Sequence, residues 1–232
     1  MDGKTILVVG ASGGIGASVV DRCLSAGAEV KVWGRNSPEN AQAGFEELDV
    51  TEAPDTWSVT VPESLDGLVY CPGTITLGAF PRLTDDQFLN DYTVNVLGAA
   101  RVIRTCIRAL TKASGSVVLF STVAVQAGLS FHASIAAAKS GVEGLSRSLA
   151  AEYAAKGVRF NVIAPSITDT PLAADLLSNE KRRTAAEERH PLKAIGSADQ
   201  VAAAVAFFLS DAAAWTTGTV LPMDGGMSRL RP

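Results

Sequence analysis

The chain has 232 residues, 47% hydrophobic and 19% charged, with a net charge of -4 and a pI near 5.2. That balance suits one domain with a substantial buried core and disfavours a nucleic-acid surface. The three cysteines, Cys23, Cys71 and Cys106, are odd in number and lack metal-ligand spacing, so neither a disulfide framework nor a metal site is expected, and a reducing, cytoplasmic setting is.

The first apolar run, Thr5 to Val9, starts without a basic leader, and no later run reaches the roughly 18 to 20 residues of a membrane span, so no membrane partner is expected. Thr5 to Val9 is rich in β-branched residues without amphipathic period and reads as a strand buried on both faces. Glycines 10, 13, 14 and 16 follow. A turn built on Gly10, Gly14 and Gly16 lets backbone approach a ligand, and a helix starting near Gly14 points free N–H groups and its positive dipole end there. A pyrophosphate fits such a place.

Ile15 to Ala26 is the first helix, with Gly27 as its stop, and Ala28 to Trp33 the second strand, with Gly34 to Ser37 at its tip. Phe45 to Val50 reads as a third strand within an abbreviated segment, and Leu65 to Tyr70 as a fourth, ending at Cys71-Pro72-Gly73. Thr84 and Gln87 form a capping box that opens a long helical region through Leu110. Within it Asn95 is a polar residue among Val94, Val96 and Leu97, costly to bury without a partner. Gly115 to Ser121 is the fifth strand, Ser130 to Ala155 a long helix carrying Lys139, and Val158 to Ala164 the sixth strand.

Residues 166 to 196 are polar and partly helical beyond a strand's carboxyl end, the pattern of a substrate lid; its basic cluster, Lys181 to Arg183, is answered by Glu180, Glu187 and Glu188. Ser197 and Gln200 form a second capping box before the helix Val201 to Leu209, and the strand Thr219 to Met223 runs into Asp224-Gly225-Gly226. Seven apolar strands alternating with helices imply a single α/β domain, a doubly wound parallel sheet of Rossmann type with helices on both faces.

The spacing G-x-x-x-G-x-G at Gly10, Gly14 and Gly16, the segment VNVLGAARV around Asn95 and the run KSGVEGLSRSLAAE from Lys139 together resemble the short-chain dehydrogenase/reductase family, from Gly10 to Gly226. The resemblance implies a nicotinamide dinucleotide held by Gly10, Ser12, Gly14, Ile15, Gly16 and Gly73. It puts Asp49 and Val50 at the adenine, Asn95 and Lys139 at the ribose end, and Ile167, Thr168 and Thr170 near the nicotinamide. No acid stands at the tip of the second strand, where the adenosine ribose is read; Arg35 does, and its planar fork suits a phosphate, so NADP(H) is favoured over NAD(H). A homodimer or homotetramer also follows from the resemblance alone.

In that family a serine ends the fifth strand and, thirteen residues later, a tyrosine begins Y-x-x-x-K. The tyrosine is the acid/base, the serine orients the carbonyl, and the lysine holds the ribose and lowers the tyrosine pKa. Lys139 falls on the lysine and Asn95 on the asparagine that organises a water beside it, but four residues before Lys139 stands Ile135. Thirteen further back is Thr122, with Ser121 beside it; Tyr70, Tyr92 and Tyr153 do not precede Lys139 at that spacing, and only Tyr92 lies on a helix that could border the site. An isoleucine moves no proton, and a positioned acid or base contributes about 10² to 10⁴ in rate.

Three readings are open. His132, seven residues before Lys139, has the spacing of the variant motif in bacterial enoyl reductases and could donate, although with Phe131 it could equally line a pocket. Alternatively a water relay through Asn95 and Lys139, or a non-redox lyase or isomerase reaction, needs no such donor. Last, the protein could bind NADP(H) without catalysis, Ile135 merely joining Ala138, Val142, Leu145 and Leu149 in an apolar seam. The resulting expectation is an NADP(H)-dependent oxidoreductase, atypical in its proton donor, acting on a carbonyl or activated alkene of a small organic substrate.

Overall fold

The computed structural model describes residues 1–40 and 42–230, and its frame is strand β1 (Thr5–Val9). Leu7 and Val9 enter the apolar core on one face of the sheet, Ile6 and Val8 the core on the other. Side chains alternate along a strand, so a strand covered on both faces has no position left for a polar residue. In chain order follow α1 (Gly14–Ser25), β2 (Glu29–Gly34), β3 (Gly44–Glu47), β4 (Gly67–Tyr70), α2 (Asp85–Tyr92), α3 (Gly98–Ala113) and β5 (Ser116–Phe120). The second half holds α4 (Ala124–Ala127), α5 (Ala133–Tyr153), β6 (Arg159–Pro165), β7 (Thr168–Asp169), α6 (Glu180–Glu188), β8 (Gly196–Ser197), α7 (Ala198–Leu209) and β9 (Val220–Met223).

Seven parallel strands form one sheet in the order β3-β2-β1-β4-β5-β6-β9. Helices α3 and α5 cover one face through Val102, Cys106, Leu110, Ala138 and Val142. Helices α1 and α7 cover the other through Val19, Val20, Val205 and Phe208. Burying each such valine, leucine or phenylalanine contributes roughly 1.5–3 kcal/mol, so two cores rather than one hold the sheet. The chain leaves β1 for β2 on one side and returns through β3 to β4 on the other, pairing Ile6–Val9 with Gly67–Tyr70. This reversal opens a crevice at the carboxyl ends of β1 and β4, where such sheets bind ligands.

Both capping boxes form: Thr84 Oγ1 accepts from Gln87 N at 3.3 Å while Gln87 Oε1 accepts from Thr84 N at 3.0 Å, and Ser197 and Gln200 repeat the exchange. The helical region after Thr84 is nonetheless not one helix. A π turn over Thr93–Leu97 separates α2 from α3. The Tyr70 hydroxyl donates to the Val94 carbonyl at 2.6 Å, and a Cβ on Gly98 would overlap that hydroxyl, so the phenol is admitted where the helix widens.

The third strand stops at Glu47 rather than Val50, because the chain turns where Asp49 Oδ1 accepts from Thr51 N at 2.8 Å. The helix expected from Ser130 begins at Ala133, and the short α4 precedes it. Within 166–196 lie a two-residue parallel pairing of β7 with β8 and a small apolar cluster of Ala173, Leu177 and Ala186, with Ile167 and Ile195 packed against it. Arg183 there pairs with Asp169 at 2.8 Å rather than with the neighbouring glutamates.

Candidate active site

The nucleotide end of the crevice is made of backbone. Gly10 (φ +78°) and Gly14 (φ +56°) occupy the left-handed region that side chains disfavour, and Gly10 N donates to the Trp33 carbonyl at 2.8 Å. A Cβ on Gly16 would overlap the Gly10 carbonyl oxygen and lie 2.9 Å from Ala11 Cα, so only glycine lets α1 start directly against the turn. Helix α1 has no side-chain cap and no acidic residue in its first turn, leaving the amide donors at its start to an outside, negatively charged acceptor. Ser12 is exposed and Ile15 half-buried at this rim.

At the tip of β2, Arg35 is exposed and its charge reaches the Asp49 carboxylate. The hydrogen bonds from Thr51 N and Oγ1, with Arg35 adding its charge, hold the Asp49 carboxyl below its usual value. Val50 is buried, and Arg101 Nη1 donates to the Val50 and Thr51 carbonyls at 3.1 and 2.9 Å, fixing this loop to α3.

The start of segment 166–196 lies against the glycine turn: Thr170 Cβ is 3.3 Å from where a Cβ on Gly14 would sit. Thr168 is buried, donating to the Ser166 carbonyl at 3.1 Å, and Thr170 donates to the Thr168 carbonyl at 3.2 Å. Ile167 packs against the apolar cluster of Ala173, Leu177 and Ala186.

Buried side chains build the other end. Lys139 Nζ donates to the Phe120 carbonyl at 3.0 Å, and no other hydrogen bond of this ammonium is formed among the described residues. Burial draws its pKa down to about 8 from the usual lysine value of 10.5, against the opposing pull of Asp91 and then Cys71. Asn95 Nδ2 donates to Thr74 Oγ1 and to the Asp91 carbonyl, each at 2.8 Å, but its buried Oδ1 has no partner. A Cβ on Gly73 would lie 3.3 Å from Asn95 Oδ1 and 3.5 Å from Lys139 Nζ, so an orphan acceptor and an under-used donor converge on one glycine. Thr122 Oγ1 accepts from Ala124 N at 3.3 Å and keeps its proton for another acceptor, whereas the Ser121 hydroxyl is committed to the buried Glu143 at 2.7 Å.

Ile135, one turn before Lys139, is buried hydrocarbon. His132 sits at the N-cap of α5, and its Nδ1–H donates to the Ser130 carbonyl at 2.7 Å, which assigns the tautomer because a carbonyl only accepts. Tyr92 is 52% exposed, Tyr70 is spent on Val94, and Tyr153 packs beside Phe160 and Lys156. Burial pushes the Cys71 thiol up to about 12.

Sequence reasoning overlooked several polar residues here. Asp91 lies four residues before Asn95, a spacing that puts both on one helical face, and that was its available signal. Glu143 is the same step beyond Lys139. The buried His190 gave no such signal: its Nδ1–H donates to the Ala186 carbonyl and its Nε2 accepts from Ser166, both at 2.8 Å, fastening the end of α6 to the end of β6.

Known proteins resemble this arrangement throughout its length. The sequence pattern of the family described as Enoyl-(Acyl carrier protein) reductase matches residues 10–228. A 3-oxoacyl-[acyl-carrier-protein] reductase, MabA of Mycobacterium avium, is 32% identical over 230 residues, covering 97% of this chain and 89% of that protein. The ligand-free aldohexose dehydrogenase of Thermoplasma acidophilum superposes with a TM-score of 0.90 at 28% identity, over 100% of this chain and 96% of that one. ElxO, solved with NADP bound, gives a TM-score of 0.86 at 25% identity, over 98% of this chain and 99% of that one. With a glycine turn at the switch point, a lysine and an asparagine converging beside it, and a family match across nearly the whole length, the chain belongs to the short-chain dehydrogenase/reductase family of oxidoreductases.

Proposed function

We propose that this protein is an NADP(H)-dependent reductase of a carbonyl, or of an activated alkene, in a small organic substrate. The observation that carries the reading is the convergence of Lys139 Nζ and Asn95 Oδ1 at Gly73, next to a glycine turn from which α1 starts without a side-chain cap. Gly10, Ser12, Gly14, Ile15 and Gly16 would receive the pyrophosphate, Asp49 and Val50 the adenine, Gly73, Asn95 and Lys139 the ribose beside the nicotinamide, and Ile167, Thr168 and Thr170 the nicotinamide amide. Arg35 supports the phosphorylated cofactor, as does the NADP seen in ElxO.

Bound there, the nucleotide supplies the hydride. The chain's own task is to hold the carbonyl and deliver a proton to its oxygen. Thr122, with its proton uncommitted, is suited to orient that oxygen, and the Lys139 ammonium, loosened by burial, is suited to give up a proton near neutral pH. His132 is a second donor at the mouth of α5, and Ile135 occupies the place of the family's phenol. The printed activity of MabA supports a 3-oxoacyl group as the first carbonyl to test. The family resemblance further supports a homodimer or homotetramer in the cytoplasm, built as one domain with 166–196 as its substrate lid.

Ile135 favours a second reading, a cofactor binder without turnover, because hydrocarbon replaces the acid. Calorimetry with NADPH and NADH, followed by NADPH oxidation with 3-oxoacyl thioesters, ketones and enones, separates the two: NADPH binding with turnover is expected. Binding without turnover in the wild type, together with ketone reduction gained in Ile135→Tyr, establishes the second. Uptake of neither nucleotide overturns both. His132→Ala lowers turnover about 10²-fold or more if the imidazole is the donor, and leaves it unchanged if Lys139 is.

A further inference from the structure

Asp91 is fully buried. Its Oδ1 accepts from Thr74 Oγ1 at 2.5 Å and Thr76 Oγ1 at 2.8 Å, and its Oδ2 from Ser134 Oγ at 2.6 Å. Three donors from two segments, none of them charged, thus hold one carboxylate in the interior. Thr74 Oγ1 also accepts from Asn95 Nδ2, and the adjacent Gly73 lies beside both Asn95 Oδ1 and Lys139 Nζ, so the carboxylate, the asparagine and the lysine are gathered around one short loop. A buried carboxylate without a cation is strongly disfavoured, and so is a buried ammonium whose hydrogen-bond partner is a neutral carbonyl. Each of these ions supplies what the other lacks.

We infer that Asp91 is a positioning residue for the reduction proposed above: its buried carboxylate is the counter-charge that keeps Lys139 an ammonium at the cleft. The inference rests on that reading only in making Lys139 the proton source. The ionisable groups acting on Lys139 are Asp91 from α2 and Cys71 at the end of β4. The Cys71 thiol is pushed up to about 12 and is neutral around pH 7. On α5 itself, Glu143 is bonded to Ser121 and pairs with Arg147 at 3.7 Å. Among the described residues, Asp91 is therefore the negative charge that opposes the desolvation favouring the neutral amine.

The test uses cofactor-free full-length protein with lysine labelled at 13Cε, the Lys139 resonance being identified by its loss in Lys139→Arg. The wild-type midpoint is expected near 8. Asp91→Asn keeps the shape and can still accept from Thr74 and Thr76, yet it should lower that midpoint by about one pH unit or more. Ser134→Ala removes one hydrogen bond and no charge, and should leave the midpoint in place. An unmoved midpoint in Asp91→Asn, or equal movement in both variants, overturns the inference.

If Asp91→Asn does not fold, 13Cγ-labelled aspartate in the wild type decides instead. The Asp91 carbon must shift at the pH where Lys139 titrates, and a flat trace there overturns the pairing. The alkaline limb of kcat/KM for NADPH-dependent reduction should move down with the lysine midpoint in Asp91→Asn. Because the titration needs neither nucleotide nor turnover, its failure is distinguishable from failure of the cofactor reading, which calorimetry reports.

Discussion

The two ends of the crevice solve opposite problems. Around Gly10, Gly14 and Gly16 the chain removes side chains, so that backbone amides meet the solvent-facing space and nothing ionisable intervenes. Around Lys139 it does the reverse, packing Asp91, Asn95 and Ser134 into the interior and leaving the Asn95 acceptor open. The first end depends above all on shape, because glycine is needed for close backbone approach; the second depends above all on charge. Substitutions should therefore fail differently at the two ends.

The largest effect is expected where shape is absolute. Gly16→Val puts a branched side chain into the Gly10 carbonyl and Ala11 Cα, and should cost about 4 kcal/mol or more, or prevent folding altogether. Chemical denaturation measures it, and a well-folded Gly16→Val with wild-type stability would break the comparison.

At the other end, Lys139→Met keeps most of the volume and removes the charge. Turnover should fall by about 10²-fold or more, and the pH dependence that the buried ammonium gives to stability should disappear with it. The sign follows from the folded pKa of about 8 lying below the usual 10.5. Below pH 8 both states carry the proton and the folded state bears the whole desolvation cost. Between pH 8 and 10.5 the unfolded chain holds more protons, so wild-type stability climbs with pH across that window, by up to about 3 kcal/mol. In Lys139→Met that climb should vanish from denaturation curves recorded between pH 7 and 10.5. Loss of turnover together with loss of that climb sharpens the contrast; a climb that persists in Lys139→Met would remove it.

A smaller change is expected from Arg35→Ala. One charge-assisted contact with a phosphate is worth roughly 1.5–3 kcal/mol, so NADPH affinity should weaken about tenfold or more while NADH affinity stays nearly level. Calorimetry with both nucleotides reads this directly, and equal weakening of both would assign Arg35 to general loop structure.

Smallest is Lys193→Gly in the loop before β8, where a non-glycine residue is held at φ +52°. Relief of that strain should add about 1 kcal/mol, offset in part by the entropy glycine loses on folding. The melting temperature checks it, and a drop would mean that the Lys193 side chain holds the loop, where its Nζ donates to the Glu188 carbonyl at 3.0 Å.

Legibility in the sequence followed the range of the forces involved. The glycine turn, the strands buried on both faces and the two capping boxes are decided by residues within a few positions of one another, and each formed where spacing put it. Lys139 and Asn95 could be named from their flanking segments. The break at Thr93–Leu97 could not, because its causes, the Tyr70 hydroxyl and the room at Gly98, come from a strand more than twenty residues away and a glycine that reads as ordinary helix. The hydroxyl beside β5 divided likewise. Ser121 and Thr122 are equivalent as letters, and only the approach of Glu143 from α5 commits the first and frees the second.

By itself, then, the amino-acid order determined the alternation of strands and helices, the glycine cradle and the two residues that mark the family, since these depend on local sterics, hydrogen-bond capping and hydrophobic period. Only the tertiary structure decided that Asp91 is buried among Thr74, Thr76 and Ser134, that Asn95 keeps one acceptor open, and that His190 is fastened to Ser166. Those are matters of which buried polar groups find partners, and partners drawn from distant segments exist only once the sheet has brought them within hydrogen-bond reach.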